Sequence, residues 1–258
     1  MSSDLKNLNQ SIIKAFSLLD AFTNDKKEWG VRELANKTGY NKSTTYRLLS
    51  TLVSLNVIHQ NENEKYRLGS KLFELGNRVE LYQSLITATN ESIKSVALDI
   101  QETVLLGTLK EHQIFYLNKA DSLQGLKIST SIGSYQPIHA TASGKLLLAF
   151  SSTNEQLDFF NKNKLNAFTQ KTITTTSDLK QELKIIKKQG YSLDLEEFEL
   201  GLICIAIPIF NKKGKAIASI SASGPSSRFK LENVQNYIAI LQKGATTIEK
   251  TLQDFDSL

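Results

Sequence analysis

Two short helical segments separated by a tight turn constrain the fold of this chain more than any other feature. Apolar residues at helical spacing predict a helix over residues 31–37, and Gly39 ends it because glycine tolerates the positive φ of a helix C-terminus. Asn41 then provides the N-cap of a further helix over residues 42–55. The residues predicted to face inward are Val31, Leu34, Ala35, Thr45, Leu48, Leu49 and Leu52.

The segments on either side complete a familiar order of elements. Residues 11–22 carry apolar side chains at i, i+3, i+4 and i+7, which predicts a preceding helix with one inward face. Residues 57–60 and 65–68 are predicted to form two short strands joined by a polar turn. Helix, helix, tight turn, helix and hairpin is the order of a winged helix-turn-helix. The inward face of the first helix is predicted to hold Ile12, Ala15, Phe16 and Leu19.

Polar side chains off the apolar face of the third helix indicate DNA contact, because a helix fits the major groove. Arg47 is the best candidate for reading a guanine edge, and Arg32 is placed to clamp a phosphate. Tyr46 has two interpretations, core packing or base contact, and the sequence leaves both open. The candidate DNA contacts are Arg32, Lys42, Ser43, Thr44, Tyr46, Arg47, Lys65 and Arg67.

Charge and cysteine content narrow the class of protein. The formal net charge is +5, and the first 70 residues hold +3 of it, which suits an anionic partner and equally suits a solvated surface. The single cysteine excludes an internal disulfide and a zinc site built on several cysteines. Neither a long apolar run nor a secretory signal is found, so we expect a cytoplasmic protein with no membrane partner.

Apolar spacing through residues 70–85 predicts one helix that connects two domains, with Gly76 as its weak point. No Pro-rich or Ser-rich linker occurs here, so the join would transmit a rotation better than a flexible tether; a helix packed on its own domain is the alternative. We therefore expect a DNA-binding domain over residues 1–69, the connecting helix, and a second domain over residues 86–258.

The second domain alternates strand-like and helix-like segments, which predicts an α+β fold. The predicted strands cover residues 103–109, 113–119, 126–130, 191–193, 202–209 and 216–223. The predicted helices cover residues 142–150, 155–161, 177–188 and 231–254, the third of them capped by Ser177.

A hairpin over residues 202–223 places small polar groups near one another. A four-residue loop would pair Cys204 with Ser221 on one face, whereas a three-residue loop would put them on opposite faces, and the sequence decides neither register. The run from His139 to Lys145 supplies small residues at a helix N-terminus, where free amides attract anions. Together these features predict a pocket for a short carboxylate, against the alternative of an ordinary capped helix beside a sheet.

Specific motifs resemble the IclR family of bacterial transcription regulators. The matching pieces in residues 30–76 are ELA-x-x-TG, KST-x-x-RLL-x-TL and YRLG-x-K-x-x-ELG, and in the second domain HATASGKLLLAF and residues 190–229. The resemblance implies a GAF-like effector-binding domain, and Phe198 among the acids of residues 194–199 departs from the family pattern. The effector contacts that it implies are Thr141, Ala142, Ser143, Gly144, Asp194, Cys204, Ser221 and Ser223.

The predicted function is therefore a DNA-binding transcription regulator, a repressor, whose operator affinity responds to a small carboxylate effector. We expect double-stranded DNA with a near-palindromic operator as partner, a homodimer or dimer of dimers as assembly, and no cofactor, metal or catalysis. One alternative is a thiol enzyme that uses Cys204 with His112 or His139 as base. The other is a DNA-binding dimer that binds no small molecule.

Overall fold

The computed structural model describes residues 8–23, 26–125 and 128–252, which divide into two units, Met1–Glu80 and Leu81–Leu258. The elements of unit 1 are α1 (Gln10–Leu19), α2 (Val31–Thr38), α3 (Lys42–Ser54), β1 (Ile58–Gln60), β2 (Tyr66–Leu68) and α4 (Ser70–Gly76). The helix-turn-helix and its hairpin are thereby confirmed. Gly39 has φ +73°, and the Asn41 side chain accepts a hydrogen bond from the Thr44 amide at 2.8 Å.

The core of unit 1 forms where α1, α2 and α3 meet the hairpin. Leu18, Leu34 and Leu49 are completely buried, and Thr45 joins them with its hydroxyl donating to the Asn41 carbonyl at 3.1 Å. The inward face predicted for α1 is correct for Ala15 and Leu19, which pack against this core, and wrong for Ile12 and Phe16, which are 57% and 62% exposed. Apolar residues lie on most sides of this helix, so spacing alone did not select the face that packs.

The single connecting helix predicted over residues 70–85 is also wrong. α4 ends at Gly76, and α5 (Glu80–Ile100) begins after a turn in which the Val79 amide donates to the Gly76 carbonyl at 3.1 Å. Glycine inside a helix costs about 1 kcal/mol relative to alanine, which favours a break at the predicted weak point.

Unit 2 is an antiparallel six-stranded sheet in the order β5-β4-β3-β8-β7-β6 with helices on both faces, an α+β fold. The strands are β3 (Thr103–Lys110), β4 (Gln113–Ala120), β5 (Tyr135–Pro137), β6 (Ser192–Leu195), β7 (Leu202–Phe210) and β8 (Ala216–Pro225). The helices after α5 are α6 (Ala142–Phe150), α7 (Thr153–Lys162), α8 (Thr176–Gln189) and α9 (Val234–Thr251), the last preceded by a 3₁₀ turn, Leu231–Asn233.

Successive side chains of β7 point to opposite faces of the sheet and so pack in two different hydrophobic clusters. Ile203, Ile205 and Ile207 pack with α5 and α9 on one face of the sheet, while Cys204 and Ala206 pack with α6, α7 and α8 on the other. The predicted separation of the isoleucine face from the cysteine face is confirmed.

Three predicted boundaries in unit 2 need correction. Residues 128–130 lie in no strand, and residues 126–127 fall outside the described part of the chain, as do residues 253–254 of the predicted last helix. Thr175 rather than Ser177 caps α8, since its hydroxyl oxygen accepts from the Asp178 amide at 3.1 Å. The strand β5 has no counterpart in the prediction because three residues are too few for a detectable alternation.

The hairpin β7–β8 resolves the open register. Cys204 pairs with Ser223, and Ala206 pairs with Ser221, so the thiol and both hydroxyls share one face. Direct pairing of Cys204 with Ser221, the alternative for a four-residue loop, does not occur, because the strands are offset by two residues and an irregularity lies between Ile209 and Phe210.

Candidate DNA-binding and effector sites

The helix α3 presents its polar side chains to solvent. Lys42, Ser43, Tyr46 and Arg47 are exposed, and Thr44 is half-buried. Tyr46 is 57% exposed, so the interpretation that it packs in the core is wrong. The helix α3 therefore has a buried face, which holds Thr45, Leu49 and Leu52, and an opposite face that is exposed to solvent, as entry into a DNA groove requires.

The remaining predicted DNA contacts differ in whether their charged groups are exposed or bonded to a carboxylate. Arg32 and Arg67 are exposed. Lys65 instead donates to Glu33 Oε2 at 2.7 Å, and Lys26 donates to Glu33 Oε1 at 2.9 Å. These bonds, with Lys65 the largest contributor, lower the pKa of Glu33 to about 2. The Glu33 carboxylate thus holds the hairpin lysine against the start of α2.

A cavity of about 30 Å³ in unit 2 brings most of the predicted effector residues together. It lies among the sheet, the N-terminus of α6 and the segment after β6. Those that line it are Thr141, Ala142, Ser143, Asp194, Cys204, Ser221 and Ser223. Gly144 does not line it; a Cβ there would come within 2.3 Å of the Ile138 carbonyl oxygen, so this glycine permits a close backbone contact behind the cavity.

The N-terminus of α6 offers hydrogen-bond donors to the cavity. Thr141 is the N-cap, and its hydroxyl oxygen accepts from the Gly144 amide at 3.2 Å. Helix geometry leaves the amides of Ala142 and Ser143 without an intrahelical acceptor. The Ser143 hydroxyl is buried and has no hydrogen-bond partner among the described residues. An unpaired buried hydroxyl beside two free amides is an arrangement that an anion satisfies.

Asp194 provides a buried carboxyl group to the cavity. It is 1% exposed, and its Oδ1 accepts from the amides of Glu197 at 2.7 Å and Phe198 at 3.4 Å. Burial raises the pKa of Asp194 to about 7, with the Glu197 charge adding to the rise and Lys145 opposing it. The group therefore titrates near neutral pH.

Behind Asp194 lies a buried cation. Lys145 is 1% exposed, contacts Glu197 Oε1 and lies 3.8 Å from Glu182 Oε1. Burial raises the pKa of Glu197 although Lys145 opposes this, and its Oε2 has no partner in the described structure. Lys145 does not line the cavity, so its charge acts on Asp194 and Glu197 from within the protein.

The geometry does not support the thiol-enzyme alternative. Burial raises the pKa of Cys204 well above its ordinary value, which disfavours the thiolate. His139 Nε2 bonds the Asn166 carbonyl, and His112 contacts Asp158 and Asn163, so both histidines have partners other than the thiol. Within the described ranges, no group of three potential metal ligands occurs, and no helix is long and apolar enough to cross a membrane.

Several cavity residues were missed at the sequence level, among them three that form hydrogen bonds with one another. Tyr116, Gln136 and Thr130 line the wall formed by β4, β5 and the preceding loop. The Tyr116 hydroxyl donates to Gln136 Oε1 at 3.0 Å, and Gln136 Nε2 donates to Thr130 Oγ1 at 3.0 Å. Only Tyr116 had a local signal, a hydroxyl group within the apolar run of residues 114–117, and β5, which carries Gln136, was not predicted.

Comparison with known proteins matches the N-terminal and the C-terminal part of the chain to two domains of one family. Residues 11–62 match the family model of the IclR helix-turn-helix domain, and residues 77–250 match that of the bacterial transcriptional regulator IclR C-terminal domain. The HTH-type transcriptional regulator KdgR of Escherichia coli K12 is 38% identical over 239 residues, which cover 92% of this chain and 90% of that protein. The transcriptional repressor IclR of the same organism is 29% identical, over 93% and 88% of the two chains.

A solved structure shows the same fold. An IclR homolog from Microbacterium hydrocarbonoxydans, complexed with 4-hydroxybenzoate, superposes with a TM-score of 0.83 over 95% of this chain and 100% of that one, at 22% identity. The two family models together span most of the sequence, and the relatives named above regulate transcription rather than catalyse a reaction. The chain therefore belongs to the IclR family of DNA-binding bacterial transcription regulators.

Proposed function

We propose that this chain is a repressor whose affinity for a near-palindromic operator is changed by a small carboxylate effector. DNA binding is assigned to residues 1–69 and effector binding to residues 86–258, with residues 70–85 between them. A homodimer, or a dimer of dimers, would place two copies of α3 in successive major grooves, and the site of action is the cytoplasm. The main support for the effector site is the Ser143 hydroxyl at the N-terminus of α6, which is buried and has no hydrogen-bond partner among the described residues.

On the DNA, the polar side chains of α3, α2 and the hairpin divide into two roles. Arg47 presents a guanidinium that can donate two hydrogen bonds to a guanine edge, which makes it the reader of sequence. Thr44, Lys42 and Ser43 in the first turn, together with the exposed Arg32 and Arg67, supply phosphate contacts that fix the register without reading bases. Lys65 reaches a phosphate only by exchanging its bond to Glu33, so we rank it below Arg67 on the hairpin.

In the cavity, the effector's carboxylate lies at the start of α6. The amides of Ala142 and Ser143, the Ser143 hydroxyl and the positive end of the helix dipole all favour negative charge there. Asp194, Ser221 and Ser223 on the sheet then face the remainder of the ligand.

Binding requires the cavity to enlarge. A water molecule needs roughly 10–15 Å³ of such space, so about 30 Å³ holds one or two waters and not a multi-carbon acid. A wider recess of about 430 Å³ adjoins the cavity, and both are lined by Ile128, Ser129, Glu199 and Leu202. Moving these residues outward joins the two spaces, and an effector that favours the open form shifts operator affinity by about 1–3 kcal/mol.

The test has two stages. The operator is first selected from random double-stranded DNA, and the full chain is screened by thermal shift against glycolate, pyruvate, gluconate and benzoate. We expect at least one acid to raise Tm and to change the Kd for the operator, and Ser143→Ala to lose both effects while binding DNA normally. A screen in which no acid raises Tm contradicts the effector site and favours a DNA-binding dimer without a ligand. An acid that raises Tm and leaves operator affinity unchanged contradicts the regulatory role.

A further inference from the structure

One wall of the cavity is a chain of three hydrogen-bonded polar side chains. Tyr116 on β4 donates to Gln136 on β5, and Gln136 donates to Thr130, each over 3.0 Å. Tyr116 is 4% exposed and Thr130 is 8% exposed, whereas Gln136 between them is half-buried, so the two ends of the chain lie away from bulk water. Buried polar groups cost free energy unless they are paired, which makes the pairing pattern of this wall informative about what enters the cavity.

Tyr116 faces the cavity because the sheet makes room for its ring. The register between β3 and β4 shifts after Leu106, so that Leu106 pairs with Asn118 whereas Gly107 pairs with Tyr116. A Cβ at Gly107 would lie 3.3 Å from Tyr116 Cδ1, tighter than an ordinary contact. The ring is therefore seated over bare backbone, and its hydroxyl is fixed by Gln136.

This wall still has hydrogen-bond donors and hydrogen-bond acceptors that the three side chains do not use among themselves. After donating to Gln136, the Tyr116 oxygen still has lone pairs that can accept. Gln136 Nε2 has a second N–H, and the Thr130 hydroxyl has its own hydrogen. A hydroxyl group both donates and accepts and so satisfies this wall, whereas a carboxylate only accepts and a methylene group does neither. Burial raises the pKa of Tyr116, which keeps its phenol protonated and in the donor role toward Gln136.

We propose that Tyr116, Gln136 and Thr130 select an effector that carries a hydroxyl group in addition to its carboxylate. The effector is then a small hydroxy acid, with its carboxylate at the start of α6 and its hydroxyl on the β4–β5 wall. This inference rests on the proposed effector site and adds to it the residues that determine specificity.

The experiment compares acids that differ by one hydroxyl group. Binding of butanoate and 4-hydroxybutanoate, and of benzoate and 4-hydroxybenzoate, is measured by calorimetry on the full chain. In at least one pair we expect the wild type to prefer the hydroxy acid by roughly fivefold, the effect of one net hydrogen bond. Tyr116→Phe removes only the hydroxyl and should abolish the preference, so that the two acids of the pair bind with equal affinity. Thr130→Val tests the same wall without touching the sheet.

Tyr237→Phe is the matched control. Tyr237 stacks on Phe229 in the opposite core and does not line the cavity, so its variant should keep the wild-type preference. Equal affinities within both pairs for the wild type would overturn the selectivity while leaving the carboxylate site intact. A preference that survives in both Tyr116→Phe and Thr130→Val would overturn the assignment of these residues. Absence of binding by all four acids would contradict the effector site itself, and the inference with it.

Discussion

Replacing Lys145 by methionine tests the electrostatic arrangement behind the cavity. The Lys145 side chain is 1% exposed and that of its partner Glu197 is 10% exposed, so their ion pair is buried. Removing one member of such a pair costs about 3–5 kcal/mol, because the other charge stays buried without compensation. We expect the free energy of unfolding of unit 2 to fall by ~3–5 kcal/mol at pH 7, against a total of about 5–15 kcal/mol for an ordinary domain.

The loss should depend on pH in a defined direction. Burial already raises the pKa of Glu197, and removing the Lys145 cation raises it further. A group whose pKa is higher in the folded state than in the unfolded state favours folding at low pH, and that contribution is lost as pH rises through the folded-state value. The deficit of Lys145→Met relative to wild type should therefore be smaller at pH 5 than at pH 8.

Urea unfolding followed by circular dichroism measures the change, and two variants provide controls. Adding Glu197→Gln to Lys145→Met should restore part of the lost stability, since no carboxylate then remains to be stranded. Lys162→Met breaks an ion pair with Asp158 whose lysine is 64% exposed, and should cost only about 0–1 kcal/mol. Trp29, the chain's single tryptophan, reports unit 1 by fluorescence, and that transition should not move. Wild-type stability in Lys145→Met, or a double variant no more stable than the single one, would refute the reasoning.

Three further predictions concern DNA and effector binding. Arg47→Ala should reduce discrimination between the operator and single-base variants by about 1–3 kcal/mol at the base it reads, measured by competition binding; equal losses on operator and random DNA would exclude base reading. Glu33→Gln should release Lys65 and strengthen binding to all DNA sequences alike, with a steeper salt dependence of Kd, and the double variant Glu33→Gln/Lys65→Ala should lose that gain. Effector affinity should fall as pH rises from 6 to 8, because a bound carboxylate favours protonated Asp194, whose pKa is already raised to about 7. In Asp194→Asn, the affinity measured by calorimetry should become nearly independent of pH over that range. An unchanged pH dependence in this variant would exclude the Asp194 carboxyl as its source.

The DNA-binding unit could be predicted in detail because its signals are local. A glycine with positive φ at residue 39 and a capping Asn41 mark the turn within a few residues, and the spacing of buried leucines in α3 fixes which side is free. The prediction failed for Ile12 and Phe16 of α1, because the packing face of this helix is determined by contacts with α2 and α3 rather than by its own sequence.

The candidate effector cavity could be predicted only in part because it is assembled across the sheet. The small residues at the start of α6 and the polar face of the β7–β8 hairpin are visible as patterns, and they do meet. Tyr116 could not be placed, since strict alternation puts it on the same face as Asn118 and only the register shift in β4 separates the two. Gln136 lies on a three-residue strand that is defined by its partner, β4, rather than by its own composition.

That register shift lets one strand, β4, contact both faces of the sheet in unit 2. Tyr116 touches the cavity, while Asn118, two residues later, donates from its amide to the Ile86 carbonyl and the Thr89 hydroxyl of α5. Because Asn118 binds α5, the strand that carries Tyr116 is hydrogen-bonded to the helix whose first residue, Glu80, is the last of unit 1. One extra residue in β4 therefore lets a single strand line the cavity with Tyr116 and hold α5 with Asn118.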